Sequence, residues 1–203
     1  INKGANVNET TVDYLTPLHI AGHCGNDRVA RVLLDFGCEV NARALNGFTP
    51  LHIACKKMKL NVVKLLIYYG ALIEATTETG LTPLHVASFV GSRDIVLLLL
   101  QKNANVNEAT MRAETALHLA ARNRQTEIVK LLLKHGANVD AKASENQTAL
   151  HVGVRAGSLE IVSMLLAAGA NINQLTRDNY TPLHIAAKEG FSEIATLLID
   201  ITA

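Results

Sequence analysis

Six of the eight histidines, His19, His52, His85, His118, His151 and His184, recur at intervals of 33 residues. Imidazoles in register invite two chemistries, metal ligation and general acid–base catalysis. The spacing argues against both. Equivalent atoms of stacked helices lie roughly 8–10 Å apart, whereas zinc needs several ligands within about 2.0–2.3 Å of one point. Each of the six instead stands three residues after a threonine, where it can hydrogen-bond back toward that threonine or the adjoining turn, as Glu or Gln does in a capping box. His135 precedes a glycine and suits a helix C-terminus, and His23 alone remains a candidate contact. The three cysteines, Cys24, Cys38 and Cys55, form no C-x-x-C pair, and Cys24 and His23 point apart as helix neighbours. No glycine-rich phosphate loop and no G-x-S-x-G elbow is present. The chain therefore reads as a non-enzyme, with no cofactor and no metal.

The histidines end a recurring word, and that word defines the elements. Thr16-Pro17-Leu18-His19 returns at Thr49, Thr82, Thr115, Thr148 and Thr181, with Ala replacing Pro at 116 and 149, and it holds all four prolines of the chain. Thr is a good N-cap and Pro is tolerated at the next position, so each word opens a helix. Counting from each Thr, position +2 is always Leu, +4 is Ile, Val or Leu, and +5 is Ala except at Gly153. Gly25, Gly91, Gly157 and Gly190 turn the chain at +9, while Met58 and Arg124 break that pattern and are expected to turn otherwise. A second helix starts near +11. It carries Val29, Val62, Ile95, Ile128, Ile161 and Ile194 at +13 and a Leu at every +17, an i, i+4 apolar pair. Asp94, Glu127, Glu160 and Glu193 at +12 suit its positive start, and Gly37, Gly70, Gly136 and Gly169 at +21 end it as left-handed caps.

Composition narrows the class. Of 203 residues 49% are hydrophobic and 18% charged, enough apolar material for a core. No apolar run approaches the roughly 18 residues of a membrane span, the longest strongly aliphatic stretch being Ile95 to Leu100. A net charge of +1, 4% aromatics and no Trp offer no nucleic-acid footprint. An odd number of sparse cysteines fits a reducing compartment, cytosol or nucleus. The chain begins at Ile1 with nothing that reads as a targeting peptide.

A period of 33 with T-P-L-H resembles the ankyrin repeat, a β-turn followed by two antiparallel helices, and the resemblance covers the chain. It implies an all-α ankyrin-repeat solenoid, because one unit cannot bury its apolar faces alone. Residues 1–203 then form a single array: 1–11 ends a preceding repeat, 12–44, 45–77, 78–110, 111–143 and 144–176 are complete, and 177–203 is truncated. Gly4-Ala5-Asn6-Val7-Asn8 matches Gly136-Ala137-Asn138-Val139-Asp140 in register, and neither end has a polar capping face, so the expectation is a piece of a longer array. Asn41, Asn107 and Asn173 at +25 resemble asparagines hydroxylated in some ankyrin repeats, although shaping the loop is their commoner role.

In that family the hairpin tips and first helices line a concave groove, so function is expected where repeats differ. Position +7 holds His23, Lys56, Phe89, Arg122, Arg155 and Lys188, a basic floor. The tip residue before each Thr is Leu15, Phe48, Leu81, Glu114, Gln147 or Tyr180, apolar or aromatic in four copies. Tyr14 replaces a turn glycine, and Lys57 and Val90 adjoin the floor. The expected partner-binding set is Tyr14, Leu15, His23, Phe48, Lys56, Lys57, Leu81, Phe89, Val90, Arg122, Arg155, Tyr180 and Lys188. Nonconsensus words, Asn46-Gly47-Phe48 through Cys55-Lys56-Lys57, Asp13-Tyr14-Leu15 and Glu78-Thr79-Gly80-Leu81, resemble the middle repeats of the membrane-skeleton adaptor ankyrins. That resemblance implies a cytoplasmic adaptor, peripheral to the plasma membrane, which holds extended cytoplasmic segments of channels, transporters or adhesion molecules. Spectrin would be bound by other domains of the parent, and neither nucleic acid nor direct membrane insertion is implied. The alternative is a targeting segment of an enzyme, channel or inhibitor with a soluble protein partner.

Overall fold

The computed structural model describes residues 4–201. Among them are twelve α-helices, one 3-10 turn at Ser144–Asn146 and no strand. The helices come in pairs. The first member of each pair is α1 (Pro17–Cys24), α3 (Pro50–Lys56), α5 (Pro83–Val90), α7 (Ala116–Arg122), α9 (Ala149–Arg155) or α11 (Pro182–Glu189). The second is α2 (Asp27–Asp35), α4 (Leu60–Tyr68), α6 (Arg93–Gln101), α8 (Thr126–Lys134), α10 (Leu159–Ala167) or α12 (Ser192–Asp200). No helix is long and apolar enough to cross a membrane, among the described residues.

Two compact units divide the chain, one ending at Asn105 and one beginning at Val106. In the first, α1, α3 and α5 pack in one row and α2, α4 and α6 in another. In the second, α7, α9 and α11 form the corresponding inner row and α8, α10 and α12 the outer. Burial shows what joins neighbours within a unit. Leu18, Leu51, Leu117 and Leu150 at +2 are at most 1% exposed, whereas Leu183 is 37% exposed, so +2 packs toward the following repeat. Val62, Ile95, Ile161 and Ile194 at +13 are buried while Val29 is 51% exposed, so +13 packs toward the preceding one. Each such burial contributes about 1.5–3 kcal/mol.

The turn at +9 departs from expectation. Met58 and Arg124 do not turn otherwise: with φ of 57° and 55° they adopt the same left-handed conformation as Gly25 and Gly91. The helix-turn-helix geometry fixes this backbone, and a side chain there costs stability without changing the path. Asn103 (φ 63°) likewise replaces the +21 glycine.

Candidate functional site

The hairpin tips are built from the backbone outward. Within each tip a carbonyl one residue before the Thr accepts an N–H from four residues earlier, as in Ala44 N–H to Phe48 O at 2.9 Å and Thr176 N–H to Tyr180 O at 3.0 Å. Tyr14, Gly47, Gly80, Ala113, Asn146 and Asn179 supply the positive φ that the tight turn requires. Successive tips are tied together, Leu45 N–H donating to Asp13 O and Glu78 N–H to Asn46 O in the first unit. Ser144 N–H to Arg112 O and Arg177 N–H to Glu145 O do the same in the second.

The histidines anchor these tips. Nδ1 of His52 accepts the Thr49 N–H at 3.2 Å, which leaves the ring proton on Nε2, and Nε2 donates to the Leu81 carbonyl of the next tip at 2.9 Å. His19 holds the Phe48 carbonyl at 3.0 Å in the same way. In the second unit His118 holds Gln147 at 3.1 Å, and His151 holds Tyr180 at 3.2 Å and Gln174 at 3.0 Å. Burial pulls the pKa of His52 down to about 4, the Leu81 bond opposing it, and lowers His19, His118 and His151 for the same reason. Both ring nitrogens of these four are occupied. They are positioning residues, each setting the residue at the tip of the following repeat. Burial also raises the pKa of Cys55, far from a reactive thiolate. No group of three or more metal-ligating side chains exists among the described residues.

In four repeats the tip side chain meets the +7 residue of its own repeat, eight positions on. Lys56 Nζ lies 5.6 Å from the Phe48 ring centroid, and Lys188 Nζ lies 6.0 Å from that of Tyr180. Arg155 Nη1 donates to Gln147 Oε1 at 2.7 Å. Arg122 forms an ion pair with Glu114. The basic floor is thus modulated by the tips: the charge of Arg122 is met locally, while Lys56, Arg155 and Lys188 have neutral partners.

In the first unit a cavity of about 260 Å³ brings Leu15, Phe48 and Lys56 together with Asp13, Leu45 and Ile53. Leu81, Phe89 and Val90 belong to the following repeat, outside that lining, and Phe89 is 50% exposed. Tyr14, His23 and Lys57 are exposed nearby in sequence but do not line the cavity. Ile53 is not among the residues expected from the sequence because +4 looks like core in every copy. Val86, Leu119, Val152 and Ile185 are indeed buried there, whereas Ile53 is half-buried and Ile20 exposed. The second unit carries a more polar cavity of about 210 Å³ that gathers Arg155, Tyr180 and Lys188. Arg122 lines a separate cavity with Glu114 and Arg112.

A ladder of +25 side chains also joins repeats. Asn8 Oδ1 accepts Glu39 N–H at 2.8 Å, Asn41 Oδ1 accepts Leu72 N–H at 2.9 Å, and Glu74 Oε1 accepts Asn105 N–H at 2.9 Å. Asn107 and Asp140 repeat the pattern onto Asn138 and Asn171 at 2.7 and 2.9 Å.

The chain matches the family described as "Ankyrin repeats (3 copies)" over four overlapping stretches, residues 1–77, 45–110, 106–176 and 142–203. No curated protein matches it. Among solved structures it is similar to the crystal structure of the human ASB11 ankyrin repeat domain, at 30% identity and a TM-score of 0.88, over 97% of this chain and 89% of that one. The period, the capped helix pairs, the matched family and this neighbour agree, and the chain belongs to the ankyrin-repeat family.

Proposed function

We propose that this chain is an adaptor segment that binds extended cytoplasmic tails of channels, transporters or adhesion molecules. Ankyrin repeats are protein–protein interaction modules and typically non-catalytic, which sets the class. The narrower reading places the chain in the cytoplasm beside the plasma membrane, linked to the membrane skeleton through other parts of its parent. Its main support is the open cavity of the first unit, where apolar Leu15 and Phe48 stand beside the uncompensated charge of Lys56. A tail with an apolar side chain next to an acidic one complements that pairing. The nonconsensus words around Phe48 and Cys55 support the membrane-skeleton assignment.

An array of tail peptides from these three protein classes tests the reading. The chain should retain a subset, and a Phe48→Gln, Leu81→Gln, Phe89→Gln variant should lose it while keeping helicity and melting, each anchor being worth about 2 kcal/mol. A collapsed melt would make the three residues core. Failure of the parent chain to retain any tail peptide would overturn the adaptor reading.

A further inference from the structure

The cavity of the second unit presents a different chemistry from the apolar one. Five charged side chains line it, Glu145, Arg155, Asp178, Lys188 and Glu189, around about 210 Å³. That is below the roughly 300–1,000 Å³ of small-molecule sites and suits side chains of a peptide. All five residues are exposed. Their charges are not joined to one another: no ion pair links any two of the five. Arg155 donates to the neutral Gln147 amide and Lys188 lies over the neutral Tyr180 ring, while the same Gln147 offers its Nε2 to Glu145 at 3.4 Å. Charges of both signs therefore surround one opening with their electrostatic capacity unspent.

The arrangement selects its guest. Three carboxylates against two cations make the lining net negative, which disfavours a phosphate dianion, and a segment that is basic throughout would leave Arg155 and Lys188 without a counter-charge. Glu145 and Asp178 stand three residues before their Thr, on the tips, whereas Arg155 and Lys188 stand at the ends of α9 and α11. Side chains of an extended peptide alternate between opposite faces, so neighbouring residues can address the two rows at once. We propose that this cavity reads a mixed-charge peptide segment, with a basic residue directed at Glu145 and Asp178 and an adjacent acidic residue at Arg155 and Lys188. The proposal takes an extended peptide as guest from the adaptor reading and adds the sign pattern that the second unit recognises.

The test uses the full chain and fluorescence anisotropy at low ionic strength. The probe is a labelled 12-residue peptide of repeated Lys-Asp-Thr, compared with versions carrying Gln for Lys, Asn for Asp, or phosphothreonine for Thr. The mixed-charge peptide should bind tightest, each removed charge weakening it by up to about fivefold, the ceiling for an exposed pair. Glu145→Asn with Asp178→Asn should abolish the preference for peptide Lys and keep that for peptide Asp. Arg155→Gln with Lys188→Gln should do the reverse, and all variants should melt like the parent. Equal binding of the probe and its neutralised versions, tightest binding of the phosphopeptide, or variant effects without this cross-specificity would each overturn the proposal. The Phe48, Leu81, Phe89 variant separates the two readings. Should the parent retain tails that this variant loses while the charge selectivity is absent, the adaptor reading stands and this one falls; charge selectivity in a parent chain that retains no tail gives the converse.

Discussion

Lowering the pH from about 7 to about 5 should cost the chain about 2 kcal/mol through His52 alone. This imidazole is 0% exposed, accepts the Thr49 N–H and donates to the Leu81 carbonyl, so a second ring proton would evict the Thr49 donor and place a charge in the core. Its folded pKa of about 4 lies below the ordinary 6.5, and the unfolded chain therefore takes up the proton first. The contribution is whole above the unfolded value and is lost as the pH falls from there toward the folded one. His19, His118 and His151 shift in the same direction and add to the slope. Urea titrations at several pH values measure the loss, and the imidazole proton resonances report the His52 titration directly. His52→Gln should flatten the profile, since Gln can serve the capping box without titrating. An imidazole that titrates near its ordinary value, or a variant with the parental pH profile, would refute the anchoring role given to the ring.

Substitutions at three further positions probe other links. Leu117→Ala removes a fully buried side chain that packs toward the next repeat and should cost about 2–5 kcal/mol in urea unfolding. Met58→Gly relieves a left-handed φ of 57° on an exposed residue and should raise the melting temperature, the conformation costing roughly 1–2 kcal/mol with a side chain. Asn107→Ala deletes the bonds to Asn138 N–H and Gly136 O and should cost about 1–3 kcal/mol, while Asn107→Asp, which keeps the acceptor as Asp140 does, should cost less.

The legible part of this molecule is the part governed by neighbours in sequence. Thr49, Pro50 and His52 specify a helix start within four residues, and the +9 and +21 glycines end helices by their own conformational freedom. The illegible part depends on atoms 29 or 31 residues away. Nothing in T-P-L-H says that Nε2 of His52 will reach the Leu81 carbonyl, or that Asn41 will accept the Leu72 N–H. Met58 departs from the sequence expectation for a related reason: the preference of its type for negative φ is weaker than the demand of a packed helix pair.

The candidate surface shows why reading columns of residues is insufficient. Taken alone, position +7 holds cations in four of six copies, and taken alone the tip position is a row of apolar or aromatic groups with two polar exceptions. The contacts join the two columns. Glu114 cancels Arg122, Gln147 holds Arg155 without cancelling it, and Phe48 and Tyr180 lay an aromatic face under Lys56 and Lys188. A partner therefore meets composite groups whose net charge depends on both members. Exchanging Glu114 for Gln would free Arg122 and make its repeat resemble that of Gln147 and Arg155, with no change at +7. The unit of specificity on this surface is the tip residue together with the +7 residue it touches, and for Phe48, Gln147 and Tyr180 the histidine of the preceding repeat fixes where that pair stands.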